Sequence, residues 1–144
     1  MENIIDLGSN SEWSKPFISD YLYIDSVEGC GWGVYTSDFI KKSTMIEVAP
    51  VLVFPFDDVF KKYKIVNYCV LWQENPIGQK NIAIPFGWTM FYNHSDNNSC
   101  NFANNYAEDL LGIISNRDIN PNEQVTVSYG PNWFSDRNII KLDI

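Results

Sequence analysis

The sequence predicts a single, mostly β domain with short helices. Short runs rich in β-branched and aromatic residues recur along the chain, separated by glycine, proline and asparagine turns. One stretch, residues 57–71, is the best candidate for a helix. The 144 residues, 45% of them hydrophobic and 19% charged, are enough for one hydrophobic core.

The first half of the chain contains three predicted strand regions. Residues 21–24 are β-rich, and residues 29–33 carry three glycines in five positions, which predicts a sharp turn. The β pattern resumes at residues 34–35. Residues 45–56 also read as a strand, but its two prolines place it at a sheet edge or give it a bend.

Residues 57–71 are the best helix candidate. An aspartate at position 57 or 58 can cap such a helix. The β-branched residues Ile65, Val66 and Val70 fit a strand equally well, so part of the segment is open to that alternative. The helical spacing is carried by Phe60, Tyr63, Lys64 and Asn67.

The second half of the chain returns to the β pattern. Residues 81–86, 111–114 and 124–129 are predicted strands. Residues 120–123 have turn chemistry, because a proline fixes the second turn position. We divide the chain into an N-terminal extension (1–20), the domain proper (21–137) and a C-terminal tail (138–144).

The composition disfavours some classes of function and predicts the compartment in which the protein works. The net charge of −8, without a Lys/Arg cluster longer than a pair, disfavours a protein that tracks a nucleic-acid backbone. The acidity serves solubility or attracts a basic protein partner. No signal peptide and no apolar run of roughly 20 residues is seen, so a soluble, intracellular protein is expected.

The cysteines and the single histidine argue against a metal site. Cys30, Cys69 and Cys100 are odd in number and widely spaced, which fits neither a disulfide framework nor paired zinc ligands. His94 has no second histidine to share a metal with. No Gly-x-Ser-x-Gly elbow is present, so a serine hydrolase is disfavoured. Asn93 and His94 are left as polar contacts to a ligand.

Two further motifs are weak in isolation. Gly31 and Gly33 flank Trp32 and would let the backbone approach a ligand closely, but a tight hairpin turn explains them as well. Tyr129 ends a predicted strand beside Gly130, where a tyrosine is often only a rim residue.

Together, four segments resemble the SET family of protein-lysine methyltransferases in order and spacing. They are residues 31–35, 46–51, 93–95 and 115–130, and the resemblance spans about residues 21–137. Small bacterial and viral SET proteins look most similar, because in them a stretch like residues 68–72 precedes the Asn-His-Ser block. A viral protein would work in the host cell or its nucleus; otherwise the cytoplasm is expected.

The resemblance implies a SET-domain (β-clip-like) fold with knot-like C-terminal threading. It implies transfer of a methyl group from S-adenosylmethionine to the ε-amine of a lysine in a protein substrate, such as one in a basic tail. No nucleic-acid or membrane partner is implied. The alternative is a SET-like module that binds a protein or the cofactor with little or no turnover.

The resemblance also assigns roles to individual residues. Tyr129 and Tyr68 would be the catalytic tyrosines, and Tyr92, Trp72 and Trp133 would line the lysine channel. Cofactor contacts would come from Gly31, Trp32, Gly33, Asn93, His94 and Tyr129.

The chain departs from the family pattern at three places. Asn98 and Ser99 stand where the family block usually has proline and asparagine. Trp133 and Phe134 follow the strand where relatives carry a Tyr-Trp pair. No cysteine lies beyond Cys100, so residues 136–144, or a homodimer contact, are expected to close the site in place of a zinc-binding segment.

Overall fold

The computed structural model describes residues 5–6, 14–57 and 60–142. This part of the chain contains eleven strands and a single four-residue α-helix, so the predicted mostly β architecture is confirmed. The strands are β1 (Ile5–Asp6), β2 (Phe17–Ile18), β3 (Leu22–Val27), β4 (Gly31–Thr36), β5 (Met45–Pro55), β6 (Val70–Trp72), β7 (Asn81–Pro85), β8 (Asn93–His94), β9 (Cys100–Asn105), β10 (Leu110–Ser115) and β11 (Gln124–Val127), and helix α1 is Trp133–Asp136.

The strands form two sheets that enclose the core. The larger sheet has the order β1-β9-β10-β5-β7-β6, with β2 also paired to β5, and the smaller has the order β3-β4-β11-β8. Side chains from both sheets meet in one buried apolar cluster. Its members include Leu22, Val34, Val125 and Val127 from the smaller sheet and Val70, Phe102, Leu111 and Ile113 from the larger.

Strand β5 runs through the interior of the larger sheet. It pairs with β10 up to Pro50 and with β7 from Val51 onward, while β2 pairs at Glu47 and Val48. The edge position, one of the two predicted alternatives, is therefore wrong. The change of partner at Pro50 explains how a residue without an N–H is accommodated inside the sheet.

The predicted helix over residues 57–71 is wrong. Its described part forms two 3-10 segments, Phe60–Lys62 and Lys64–Tyr68, and then enters β6. Tyr63 between them has extended backbone angles, which interrupts any helix. The segment Lys64–Tyr68 has no buried residue, so no packed face stabilises a regular helix there. Asp58, one of the two proposed caps, lies outside the described residues.

Strand β9 was not predicted, although it lies inside the larger sheet between β1 and β10. Its asparagines have low β propensity, which hid the pattern. Asn104 and Asn105 are nevertheless fully buried. In the described part of the chain, no helix has the length and apolar character needed to cross a membrane.

Candidate active site

The Asn-His-Ser block and the strand before Tyr129 meet side by side. Strands β8 and β11 pair in parallel, with Asn93 opposite Thr126 and His94 opposite Val127. The Ser95 amide then donates to the Val127 carbonyl oxygen at 3.0 Å. Residues 33 positions apart in the sequence thus become neighbours. The knot-like threading itself stays a prediction.

A cavity of about 960 Å³ opens next to this junction. Four parts of the chain supply most of its lining: the β3–β4 turn, the 3-10 segment Lys64–Tyr68 with the residues that follow it, residues 89–94 and the segment 129–142. The site residues predicted from the sequence that line it are Gly31, Trp32, Tyr68, Tyr92, Asn93, His94, Tyr129 and Trp133.

Tyr129 is fixed at both its backbone and its hydroxyl. Its amide donates to Nδ1 of His94 at 3.0 Å, and its hydroxyl donates to the Tyr92 carbonyl oxygen at 2.9 Å. Burial raises the pKa of Tyr129 to about 12, with Cys30 and Tyr68 adding smaller contributions. The hydroxyl therefore stays protonated at neutral pH. Because its hydrogen is directed to Tyr92, the oxygen can offer lone pairs to a ligand in the cavity.

His94 supports the strand junction with both ring nitrogens. The ring is only 7% exposed, and Nδ1 accepts the Tyr129 amide while Nε2 lies 2.9 Å from Oδ1 of Asp96. The ring also packs edge-on against Phe134, with 5.1 Å between centroids. The imidazole is thus engaged in holding the site together.

Asn93 ties β8 to β4. Its side-chain Nδ2 donates to the Trp32 carbonyl oxygen and to Oε1 of Gln124, each at 3.0 Å. A Cβ added to Gly33 would lie 3.0 Å from the same Nδ2 and 2.8 Å from Gln124 Oε1. Gly33 does not line the cavity. We therefore place it behind the cavity wall, where it makes room for Asn93, rather than in ligand contact.

Gly31 lies at the cavity wall. It lines the cavity, adopts a φ of +83°, and has open space where a Cβ would stand. A side chain there would be strained by the backbone conformation and would project from the wall. Trp32 beside it is 58% exposed, so its ring is available to cover a ligand.

Aromatic rings surround Tyr129. Trp133 lies 4.8 Å and Phe134 5.9 Å from the Tyr129 ring, measured between centroids. Tyr68 is 56% exposed and lines the same cavity. These rings can exclude water from a substrate amine and can present their faces to a cation.

Two predicted channel residues have different surroundings. Trp72 is buried in the core, with its ring 5.0 Å from that of Tyr106, and it does not line the cavity. Tyr92 lines the cavity, but its hydroxyl donates to Oε1 of Glu47 at 2.8 Å. We therefore assign Trp72 to the core, and we assign the Tyr92 side chain to the support of the site.

Glu47 is a supporting residue that the sequence reasoning missed. It is fully buried, and its second oxygen accepts the Trp88 amide at 2.8 Å. Burial raises the pKa of Glu47, against the lowering effect of the hydrogen bonds from Tyr92 and Trp88. The available signal was a carboxylate between the apolar residues Ile46 and Val48.

The C-terminal segment is fastened across the cavity by Arg137. Its Nε donates to Oδ1 of Asn67 at 2.6 Å, and its Nη1 donates to the Trp133 carbonyl oxygen at 3.1 Å. The guanidinium also lies 4.4 Å from the centroid of the Trp133 ring. The sequence placed Arg137 in the closing segment but gave no sign of Asn67 as its partner.

Among the residues described, no group of three His, Cys, Asp or Glu side chains could hold a metal ion, and Cys30, Cys69 and Cys100 are free thiols. Burial raises the pKa of Cys69 to about 11 and that of Cys100 to about 12. Both thiols are therefore protonated at neutral pH.

Comparison with known proteins gives consistent results at three levels. The model of the SET domain family matches residues 31–130. A Schizosaccharomyces pombe histone-lysine N-methyltransferase specific for H3 lysine-37 is 29% identical over 125 residues, which are 84% of this chain and 82% of that protein. A crystal structure of a Plasmodium falciparum protein named as a histone methyltransferase has a TM-score of 0.61 at 23% identity, covering 81% of this chain and 99% of that one.

Proposed function

The chain belongs to the SET domain family, and on this premise we propose that it transfers a methyl group from S-adenosylmethionine to the ε-amine of a lysine in a protein substrate. Lysine methyltransferase activity is supported by the family and by the histone-lysine methyltransferase relative. The observation that carries the proposal is the position of Tyr129, held at the β8–β11 junction with its hydroxyl oxygen at the cavity.

The cavity fits the proposed cofactor in size and character. A volume of about 960 Å³ suits a nucleoside-sized ligand with room for a substrate side chain. Trp32, Trp133 and Phe134 offer flat apolar faces to a purine ring, and aromatic faces also favour a sulfonium cation. When bound, S-adenosylmethionine supplies an activated methyl group on a positively charged sulfur.

The chain's own residues would then orient and desolvate the substrate amine. A free lysine has a pKa of about 10.4, so only about one amine in a thousand is neutral near pH 7.4. Apolar walls around Tyr129 would lower that pKa by excluding water. The Tyr129 oxygen accepts a hydrogen bond from the amine and holds its lone pair in line for transfer. Its raised pKa supports an orienting role over a proton-accepting one.

We propose that the substrate lysine lies in a basic segment. The net charge of −8 would attract such a segment. The relative from S. pombe acts on histone H3, which supports a histone-like tail as the first substrate class to test. We propose an intracellular location on the same ground, and we propose no nucleic-acid or membrane partner.

We propose that the C-terminal segment closes the site without a zinc-binding segment. Phe134 packs on His94, and Arg137 bonds to Asn67 across the cavity. Ile139, which belongs to the segment expected to close the site, lines the cavity too. The boundaries at residues 20 and 137 remain proposals, and Ile139, Ile140 and Leu142 take part in the cavity wall although they lie beyond the second boundary. A homodimer is an alternative means of closure.

Replacing Asn93 by alanine is expected to weaken cofactor binding first. Without its hydrogen bond to the Trp32 carbonyl oxygen, the β4 backbone at the cavity wall is no longer held in place. We therefore expect about tenfold weaker binding of S-adenosylhomocysteine. Isothermal titration calorimetry measures the change. Gln124→Ala is the matched control, because it removes one partner of Asn93 and leaves the bond to Trp32. Equal losses in both variants would contradict a direct role for Asn93.

Arg137→Ala is expected to speed release of the product. Without the bond to Asn67 and the contact with Trp133, the C-terminal segment opens more often, and dissociation of S-adenosylhomocysteine should become about tenfold faster. Stopped-flow tryptophan fluorescence measures the rate. Asn67→Ala breaks the same bond, so the double variant should be little faster than Arg137→Ala alone. Fully additive effects would show that this bond does not close the segment.

Radiolabelled methyl transfer tests the proposed function as a whole. The protein is incubated with labelled S-adenosylmethionine and a panel of histones and lysine-rich peptides, and the labelled residue is identified by mass spectrometry. Label on a lysine, lost in Tyr129→Phe, supports the proposal. Binding of S-adenosylhomocysteine without any transfer would instead identify a non-catalytic SET-like module. Absence of binding in calorimetry would contradict both.

A further inference from the structure

We propose that Asp96 is a positioning residue that acts on Tyr129 through His94. Its carboxylate holds the His94 ring in one tautomer, so that the ring always presents an acceptor to the Tyr129 amide. The control of the His94 tautomer by Asp96 is argued from the hydrogen bonds alone. The effect of Asp96 on methyl transfer rests, in addition, on the proposed function.

The hydrogen bond from the Tyr129 backbone shows which tautomer is present. The Tyr129 amide can only donate, and it lies 3.0 Å from Nδ1 of His94. Nδ1 must therefore be unprotonated, and a neutral imidazole then carries its hydrogen on Nε2. Oδ1 of Asp96 lies 2.9 Å from Nε2, where it accepts that hydrogen.

Asp96 is itself held in place from the C-terminal segment. Nζ of Lys141 lies 2.8 Å from its second oxygen, so each carboxylate oxygen has a separate partner. The bond from Lys141, followed by that from His94, lowers the pKa of Asp96, and the carboxylate stays ionised at neutral pH. Lys141, Asp96, His94 and the Tyr129 backbone thus form one continuous chain of hydrogen bonds.

In the other tautomer, the hydrogen bond between the Tyr129 amide and Nδ1 of His94 would become a repulsive contact. With the hydrogen on Nδ1, two N–H groups would face each other across 3.0 Å, and the Tyr129 backbone would have to move. The rings that pack on His94, those of Tyr129 and Phe134, carry no charge and cannot select a tautomer. Asp96 is the side chain that can, because its carboxylate accepts a hydrogen and never donates one.

The test uses the fact that His94 is the only histidine in the sequence. Labelling with ¹⁵N-histidine gives one imidazole, whose long-range ¹H–¹⁵N spectrum distinguishes the two tautomers. In the wild-type protein we expect the Nε2-protonated pattern. In Asp96→Ala we expect a mixture of tautomers and about tenfold lower kcat, with the KM for the cofactor nearly unchanged.

Two further variants separate geometry from charge. Asp96→Asn keeps an oxygen that can accept from Nε2, so it should restore the single tautomer and most of kcat. Lys141→Ala removes only the holder of Asp96 and should give a smaller change in the same direction as Asp96→Ala. Because Asp96 is 70% exposed at its side chain, these variants should fold, and circular dichroism checks that they do.

Two outcomes would overturn the proposal. A protonated Nδ1 in the wild-type protein would contradict its geometry directly. An unchanged tautomer in Asp96→Ala would refute the link through His94, whether or not kcat falls. If the tautomer shifts as expected but the wild-type protein neither binds the cofactor nor transfers methyl groups, the positioning role stands and the proposed function fails.

Discussion

Tyr129→Phe is expected to lower the rate of methyl transfer about 10²-fold, because it removes the oxygen that orients the substrate amine. The phenylalanine ring keeps the packing against Trp133 and Phe134, so the affinity for S-adenosylhomocysteine should remain nearly unchanged. Single-turnover kinetics with a labelled methyl group measures the rate, and calorimetry measures the affinity. An equal loss of both would contradict the orienting role.

Tyr68→Phe is the matched control for this variant. Tyr68 lines the same cavity but is 56% exposed, whereas the Tyr129 hydroxyl is bonded to the Tyr92 carbonyl. We expect a clearly smaller loss of rate from Tyr68→Phe. Loss of the Tyr129 hydrogen bond should cost about 1 kcal/mol of stability, which thermal unfolding can separate from the catalytic effect.

Glu47→Ala is expected to destabilise the fold by about 3 kcal/mol. It leaves two buried donors, the Tyr92 hydroxyl and the Trp88 amide, without their acceptor, and it opens a void in the sheet. Because the Tyr92 carbonyl receives the Tyr129 hydroxyl, displacement of Tyr92 should also impair activity. Urea unfolding monitored by tryptophan fluorescence gives the change in free energy.

Glu47→Gln separates the hydrogen bonds from the charge. Its amide oxygen can accept the Trp88 N–H, and its NH₂ group can donate to the Tyr92 oxygen.

The pKa of Glu47 lies above its ordinary value of 4.5 in the folded protein, so the native state binds the proton more tightly than the unfolded chain. The stability from Glu47 is therefore present below pH 4.5 and lost as pH rises through the folded pKa.

The two proteins should consequently diverge with pH. The stability of Glu47→Gln relative to the wild-type protein should rise between pH 4.5 and neutral pH, because the variant has no proton to lose. Unfolding curves at several pH values test this. A relative stability that falls over that interval would mean that Glu47 is ionised and stabilising in the folded state.

The strands with clear composition could be predicted, and the surroundings of individual side chains could not. Alternation in β6 directs Trp72 inward and leaves Leu71 exposed, but the sequence does not say which side faces the cavity. Glu47 sits in a stretch of β5 that is buried on both faces, so the usual expectation of a solvent-exposed carboxylate fails. No local pattern predicts the pairing of residues 93–95 with the strand before Tyr129, because the two segments are about 30 positions apart.

The contacts of the C-terminal segment could not be predicted, for a different reason. Arg137 and Asn67 are 70 positions apart, and Lys141 and Asp96 are 45 apart. No local pattern marks such pairs, because each depends on where the C-terminal segment crosses the finished domain. The 3-10 segment Lys64–Tyr68 was also not predicted. It has no buried residue, so no pattern of apolar positions marks its conformation.

The parallel pairing of β8 with β11 makes the cavity depend on the last part of the chain to be synthesised. Parallel neighbours need a long connection, and here β9 and β10 form that connection as an antiparallel pair. Residues on both sides of that connection line the cavity, so the cavity is complete only when β11 and the segment that follows it have docked. A chain leaving the ribosome would carry most of its larger sheet before it could hold a ligand, so ligand binding would report completed folding.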